Sequence, residues 1–320
     1  MTRQPLRRAV DYETLPTEQR NPRSMALDRM STRQILRLIN AEDRRVPAAV
    51  AREIPRIARA TDAVVRAIQH GGRLIYVGAG TSGRIGLLDA LEWPPTFGVS
   101  PDLVRAAVAG GARATIGSAA PAEDDAAGGR AEITKLAVGP RDVVIGIAAS
   151  GVTPFVLGAV EEARTRGAVV VGLCNVPGAP LAARADIAVV PLVGPEVLTG
   201  STRMKAGTSQ KMVLNMISTT AMVRLGKVFT NLMVDMVPAN KKLVARARRM
   251  VAQATGRSME QSEQLLDEAR GSVKVAIVMA LRRLSRADAE VRLAEAGGHV
   301  RAAVGRTTTR RGRSRRARSR

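Results

Sequence analysis

The sequence predicts an α/β protein: a doubly wound parallel sheet flanked by helices, with an N-terminal helical arm before it and a small C-terminal helical domain after it. Three observations predict this. Short apolar runs rich in Val and Ile recur as RLIYVGAG, LVRAAVAGG, DVVIGIAAS, AVVVGLCN and IAVVPLVG, and unbroken runs of this kind mark strands covered on both faces. Segments of helical spacing such as TPFVLGAVEEARTRG separate most of them, which is the alternation of a βαβ sheet. Finally, 320 residues of which 45% are hydrophobic can bury a large core, with a length that accommodates one large domain and a smaller companion.

The elements follow in order. Residues 1–22 are polar and irregular. Ser31 then stands as an N-cap before a helical stretch that ends at Gly71 and Gly72, the usual grammar of helix start and stop. The five apolar runs follow, and functional loops are expected at their C-terminal ends. KAGTSQKMVLNMISTTAMVRLG, residues 205–226, reads as a long and largely buried helix, and the rest as short amphipathic helices punctuated by Gly and Ser. The expected divisions are an arm over 1–61, the sheet domain over 62–228, helices over 229–304 and a disordered tail over 305–320.

Composition excludes several classes. No run approaches the roughly 20 apolar residues of a membrane helix, and the start of the chain lacks the apolar core of a signal peptide, so the cytoplasm is the default location and no membrane partner is expected. Cys174 is the single cysteine, which excludes internal disulfides, and His70 and His299 are far apart with no second ligand type near either, so no metal centre is expected. The net charge is +22, but eight arginines lie in residues 305–320, and only 2% of the chain is aromatic. Few rings are left to stack on bases. The tail is expected to bind anions weakly and without specificity rather than to serve a specific nucleic-acid partner.

The chemistry begins in YVGAGTSGRIGLLDALEWPP, residues 76–95, where Gly78, Gly80 and Gly83 have G-x-G-x-x-G spacing between a strand and a helix. A dinucleotide fold would place an Asp or Glu about 20 residues on, at the end of the second strand. LVRAAVAGG has none there. Thr81 and Ser82 instead add hydroxyls to the free N–H groups of a helix N-terminus, a setting for a compact anion. Ser150 and Thr153 repeat the arrangement after DVVIGIAAS. Each hydroxyl alone reads as a helix cap, but the pairing on equivalent loops of one sheet points to a phosphorylated small molecule.

GAGTSGRIGLLDALEWPPTFG, AEDD, ASGVTPFV, GPEVLTGSTRMKAGTSQKMVLNM and NLMVDMVPANKKL together resemble the N-acetylmuramic acid 6-phosphate etherases, members of the sugar isomerase (SIS) superfamily. The resemblance runs from about Leu15 to about Val304. It implies a five-stranded SIS sheet, a homodimer with sites near the subunit interface, no cofactor or metal, and cleavage of a D-lactyl ether during cell-wall sugar recycling. The same core motifs occur in the glucokinase regulatory protein, so a non-catalytic sugar-phosphate sensor is the alternative. The compact length favours the enzyme.

Opening the sugar ring leaves an aldehyde at C1 that acidifies the proton at C2, with the lactyl ether oxygen at C3 as leaving group. Elimination followed by addition of water then needs a base, an acid and donors for the charge developing at the C1 oxygen. Glu92 and Glu123 match the family's active-site positions. The resemblance implies that Glu92 protonates departing lactate and then activates water, with Glu123 as base or sugar-orienting carboxylate. Pro94 and Pro95 are expected to end the helix just after Glu92, where the negative end of its dipole favours the protonated acid. Read from the residues alone, Glu123 cannot be chosen over Asp124. Thr81, Ser82, Ser150 and Thr153 are the expected phosphosugar contacts, with Ser201 a further one, while Arg203 and Lys205 read equally as phosphate ligands or as structural charges. Trp93 departs from the family, which usually carries a smaller residue there, as do Ala120 and Pro121, where Glu and Gly are usual.

Overall fold

A computed structural model describes residues 14–116, 120–236 and 241–305. The chain divides into two compact units, one over residues 14–95 and 99–224, the other over 96–98 and 225–305. The Arg-rich segment 306–320 and the residues 237–240 lie outside the described residues.

The first unit opens with three helices, α1 (Thr32–Asp43), α2 (Val46–Arg52) and α3 (Ile54–Gln69). Ser31 caps α1 as expected, in a capping box with Gln34. There follow β1 (Leu74–Gly78), α4 (Gly80–Phe97), β2 (Val104–Val108), α5 (Gly111–Ile116), α6 (Ala120–Glu123), α7 (Ala126–Lys135), β3 (Val143–Ile147), α8 (Pro154–Thr165), β4 (Val169–Leu173), α9 (Pro180–Arg184), β5 (Ile187–Val189) and α10 (Lys205–Arg224). All five apolar runs are strands, paired in parallel in the order β2-β1-β3-β4-β5. Every residue of β1 and β3 is buried, because helices cover both faces. A core around Ile75, Val77, Val144, Phe155, Val156 and Val160 fills the space between β1, β3 and α8. The α/β expectation holds.

This strand order reverses direction between β1 and β3, and ligands of such sheets bind in the crevice beyond the C-terminal ends of the two strands that flank the reversal. The β1–α4 and β3–α8 turns are those two ends.

One local expectation fails. Pro94 and Pro95 do not end α4, which continues to Phe97 and stops at Gly98, whose φ is +60°. Each proline removes one backbone bond to the carbonyl four residues earlier. Tertiary contacts hold the helix through this loss: Trp93 is buried, and its Nε1 donates to Asp89 Oδ2 at 3.0 Å. Tyr76 of β1 and Ser218 of α10 donate to the same buried carboxylate at 2.8 and 3.0 Å. Asp89 therefore binds α4 to the sheet and to α10 at one point. Burial, then the charge of Asp89, raises the Tyr76 phenol well above its ordinary pKa, so it stays a donor. Trp93→Phe removes one of three donors to a buried carboxylate and is expected to cost about 1–3 kcal/mol, measured as a lower urea midpoint with unchanged slope.

The second unit contains α11 (Lys241–Thr255), α12 (Met259–Glu268), α13 (Val273–Arg282), α14 (Arg286–Glu295) and α15 (Val300–Val304). Ser258, Ser272 and Ser285 cap α12, α13 and α14, and the helices close over Met250, Val251, Ala276 and Ile277. Asp235 bridges Lys227 and Lys274 at 3.0 and 2.6 Å.

Candidate active site

The β1–α4 turn is held by contacts that require glycine. A Cβ on Gly83 would stand 2.7 Å from the Gly78 carbonyl oxygen and 2.8 Å from Val108 Cγ1, and Gly80 has φ +52°. The chain therefore doubles back tightly after β1 and delivers Thr81 and Ser82 to the first turn of α4, where backbone N–H groups lack helical partners. The Thr81 hydroxyl makes no hydrogen bond among the described residues. Ser82 is buried and donates to Gln210 Oε1 of α10 at 2.9 Å, so its proton is turned inward.

On the neighbouring turn, Ser150 Oγ accepts from Val152 N at 3.4 Å, and Thr153 occupies the N-cap of α8 without a side-chain capping bond. Helix capping thus explains neither threonine. Ser201 lies in the turn preceding α10, and its side chain makes no hydrogen bond among the described residues. That end of α10 packs on the first turn of α4: a Cβ on Gly207 would meet Thr81 Cγ2 and Ile85 Cδ1, each at 3.5 Å.

Glu123, the last residue of α6, reaches into the same turn. Its Oε1 stands 3.0 Å from the place a Cβ on Gly80 would occupy. The neighbouring carboxylates do other work, since Asp125 caps α7 by accepting from Gly128 N at 2.8 Å and Asp124 is exposed. Of the two carboxylates that the residues alone leave open, Glu123 is the one beside the β1–α4 turn, while Asp124 is exposed. Burial raises the Glu123 carboxyl above its ordinary pKa, the charge of Asp124 adds to this, and Arg84 opposes it.

Glu92 is elsewhere. It is exposed on α4, about 17 Å along the helix from Thr81 at a rise of about 1.5 Å per residue. It is also five residues short of the helix end, outside the last turn to which the dipole effect is confined. The helix dipole therefore does not favour a protonated Glu92, which stands several turns along α4 from the turn that Glu123 reaches. Leu88 and Leu91, 46% and 64% exposed, share the Glu92 face of α4 at i, i+3 and i+4 spacing.

Lys205 has a structural place rather than a ligand's. Its Nζ donates to Glu42 Oε2 at 2.6 Å with both side chains 0% exposed. Asn21 donates to the same carboxylate, and Arg23 and Arg45 flank it. Glu196 caps α10 from outside the helix, accepting from Lys205 N at 3.0 Å and Ala206 N at 2.9 Å. Arg203 is exposed. Asp89 and Gln210 are the residues that sequence reading missed. Asp89 left a faint trace as a lone charge within the apolar IGLLDAL, and Gln210 left none.

A 2-1-3-4-5 parallel sheet with hydroxyl-bearing turns at its point of reversal is the architecture of an SIS domain, and family models agree: the SIS domain matches residues 126–220, and the glucokinase regulatory protein N-terminal SIS domain matches 56–164. Proteins named N-acetylmuramic acid 6-phosphate etherase are far more similar over the whole length. Those of Mesorhizobium japonicum, Symbiobacterium thermophilum and Rubrobacter xylanophilus are 51%, 54% and 53% identical over 92%, 85% and 91% of this chain and 96%, 90% and 96% of their own. The chain belongs to the N-acetylmuramic acid 6-phosphate etherase family. Solved structures are more distant, such as a phosphoheptose isomerase from Francisella tularensis, 20% identical over 60% of this chain and 98% of its own, with a TM-score of 0.45.

Proposed function

We propose that the protein is a carbon–oxygen lyase that cleaves the D-lactyl ether of N-acetylmuramic acid 6-phosphate by elimination and hydration, giving N-acetylglucosamine 6-phosphate and D-lactate in cytoplasmic cell-wall amino-sugar recycling. The observation that carries the reading is the carboxylate of Glu123 over Gly80, beside Thr81 in a turn fit for a phosphosugar. Thr81, Ser82, Ser150, Thr153 and Ser201 contact the phosphosugar. No cofactor is needed, since the C1 aldehyde of the open sugar supplies the electron sink. Glu123 takes the C2 proton. Its raised pKa makes it a stronger base than an ordinary carboxylate, which speeds proton abstraction as long as the group is still ionised at working pH.

The acid that protonates lactate and activates water is Glu92 of a second copy of the chain. The separation of the two carboxylates along α4 supports this, and so does the exposed Leu88 and Leu91 flanking Glu92, because an apolar face of this kind is commonly covered by a partner. The protein acts as a homodimer with no membrane or specific nucleic-acid partner.

The test is incubation with N-acetylmuramic acid 6-phosphate in heavy-oxygen water. Elimination and hydration yield D-lactate and one solvent oxygen at C3 of the sugar product. Lactate with an unlabelled C3 would sink the mechanism, and saturable binding without product would establish the regulatory reading that the glucokinase regulatory protein match raises. Because Asp124 adds to the raised pKa of Glu123, Asp124→Asn lowers that pKa. The acid limb of the kcat/KM profile, where the base becomes protonated, is expected to move to lower pH.

A further inference from the structure

The hydrogen bond between Ser82 and Gln210 has a direction, and that direction conflicts with binding a phosphate. Ser82 gives its only proton to Gln210 Oε1. Gln210 is 1% exposed, and its Nε2 is buried with no hydrogen-bond partner among the described residues. A buried donor left unmade is costly. Phosphate esters near neutral pH are chiefly dianions that accept hydrogen bonds, so a Ser82 whose proton points inward has none to offer. The opposite arrangement, Nε2 donating to Ser82 Oγ, needs only a half turn of the terminal torsion, because the two ends of a carboxamide have nearly the same shape.

We propose that Gln210 is a positioning residue of the phosphosugar site: when phosphate enters the β1–α4 turn, the carboxamide turns over, Nε2 donates to Ser82 Oγ, and Ser82 donates to a phosphoryl oxygen. This rests on reading that turn as the phosphate site. The packing places the carboxamide against the turn, since a Cβ on Gly207, one helical turn earlier on the same face of α10, would meet Thr81 Cγ2 at 3.5 Å. The unpartnered Nε2 is the donor that phosphate binding brings into use.

The experiment measures KM, kcat and competitive inhibition by inorganic phosphate in wild type, Gln210→Met, Gln210→Glu, Ser82→Ala and the Gln210→Met/Ser82→Ala double variant. Met removes both ends of the carboxamide. Glu keeps its shape and its bond to Ser82 but can only accept, so it remains informative if the Met variant does not fold. Both single variants at 210 are expected to raise KM and the phosphate inhibition constant about tenfold or more, as for loss of a hydrogen bond to a charged group, with kcat within about twofold. The double variant is expected to be no worse than Ser82→Ala alone, since coupled residues do not add. If the variants melt earlier but bind phosphate as wild type does, or if the two effects add, Gln210 is only a packing residue and the inference is overturned. If wild type turns over substrate yet inorganic phosphate does not compete, the turn is not the phosphate site and the role of Gln210 falls with it. If wild type forms no lactate but phosphate binds, the etherase reading alone fails and the binding constants still decide the role of Gln210.

Discussion

Glu123→Gln and Glu92→Gln chains, each inactive alone, are expected to recover about a quarter of wild-type turnover when co-expressed in equal amounts, as random pairing in a two-fold dimer requires. Half the dimers would then be mixed, and each mixed dimer would hold one site with both glutamates intact and one with neither. Each single variant is expected to lose about 10²- to 10⁴-fold in kcat, the usual range for removing a proton-transfer group. The expectation follows from one measurement of the fold. Glu123 lies over Gly80 at the start of α4, while Glu92 is exposed about 17 Å further along the same helix. Lactate release from the co-expressed pair, measured against either variant alone, checks it. No recovery in a confirmed mixed dimer would mean that both glutamates act from one chain, and a single variant that stays active would mean that its glutamate is dispensable.

Lys205→Met is expected to destabilise the first unit by about 3–5 kcal/mol, the range for leaving one partner of a buried ion pair unpaired. Only this pair merits such a figure, because Glu42 and Lys205 are both 0% exposed, whereas Arg23 and Arg45 on the same carboxylate are 52% and 58% exposed and screened by solvent. Removing both charges, as in Glu42→Leu/Lys205→Met, is expected to cost less than Lys205→Met alone, since no buried charge is then stranded. Urea unfolding at neutral pH checks both. Burial alone would raise the pKa of Glu42, but the bonds from Lys205 and Asn21, with the charges of Lys205 and Arg45, outweigh it and the net shift is downward. A carboxylate depressed by folding contributes stability above its unfolded pKa and loses it as pH falls through the folded value. Wild type is therefore expected to shed this contribution below about pH 4.5, and Lys205→Met to show a shallower acid limb of stability.

The residues by themselves determined the element list and the position of the turns. Strands of unbroken Val and Ile, Ser31 before α1, and the glycines after α3 and β1 act through contacts within a few residues, so they can be read without the fold. The two hydroxyl turns were legible for the same reason, and the sheet order then put them at the ends of the two adjacent strands where the order reverses, the usual ligand position of such sheets. What the tertiary structure decided lies in pairings between distant residues. Lys205 belongs to Glu42 across 163 positions and Ser82 to Gln210 across 128, and no local pattern encodes either. Pro94 and Pro95 carry a strong local signal to stop a helix, yet α4 runs on through a buried Trp93 bonded to Asp89, because packing and hydrogen bonding outweigh the bonds that proline removes. The same continuation leaves Glu92 on an exposed face of α4, about 17 Å along the helix from the turn that Glu123 reaches.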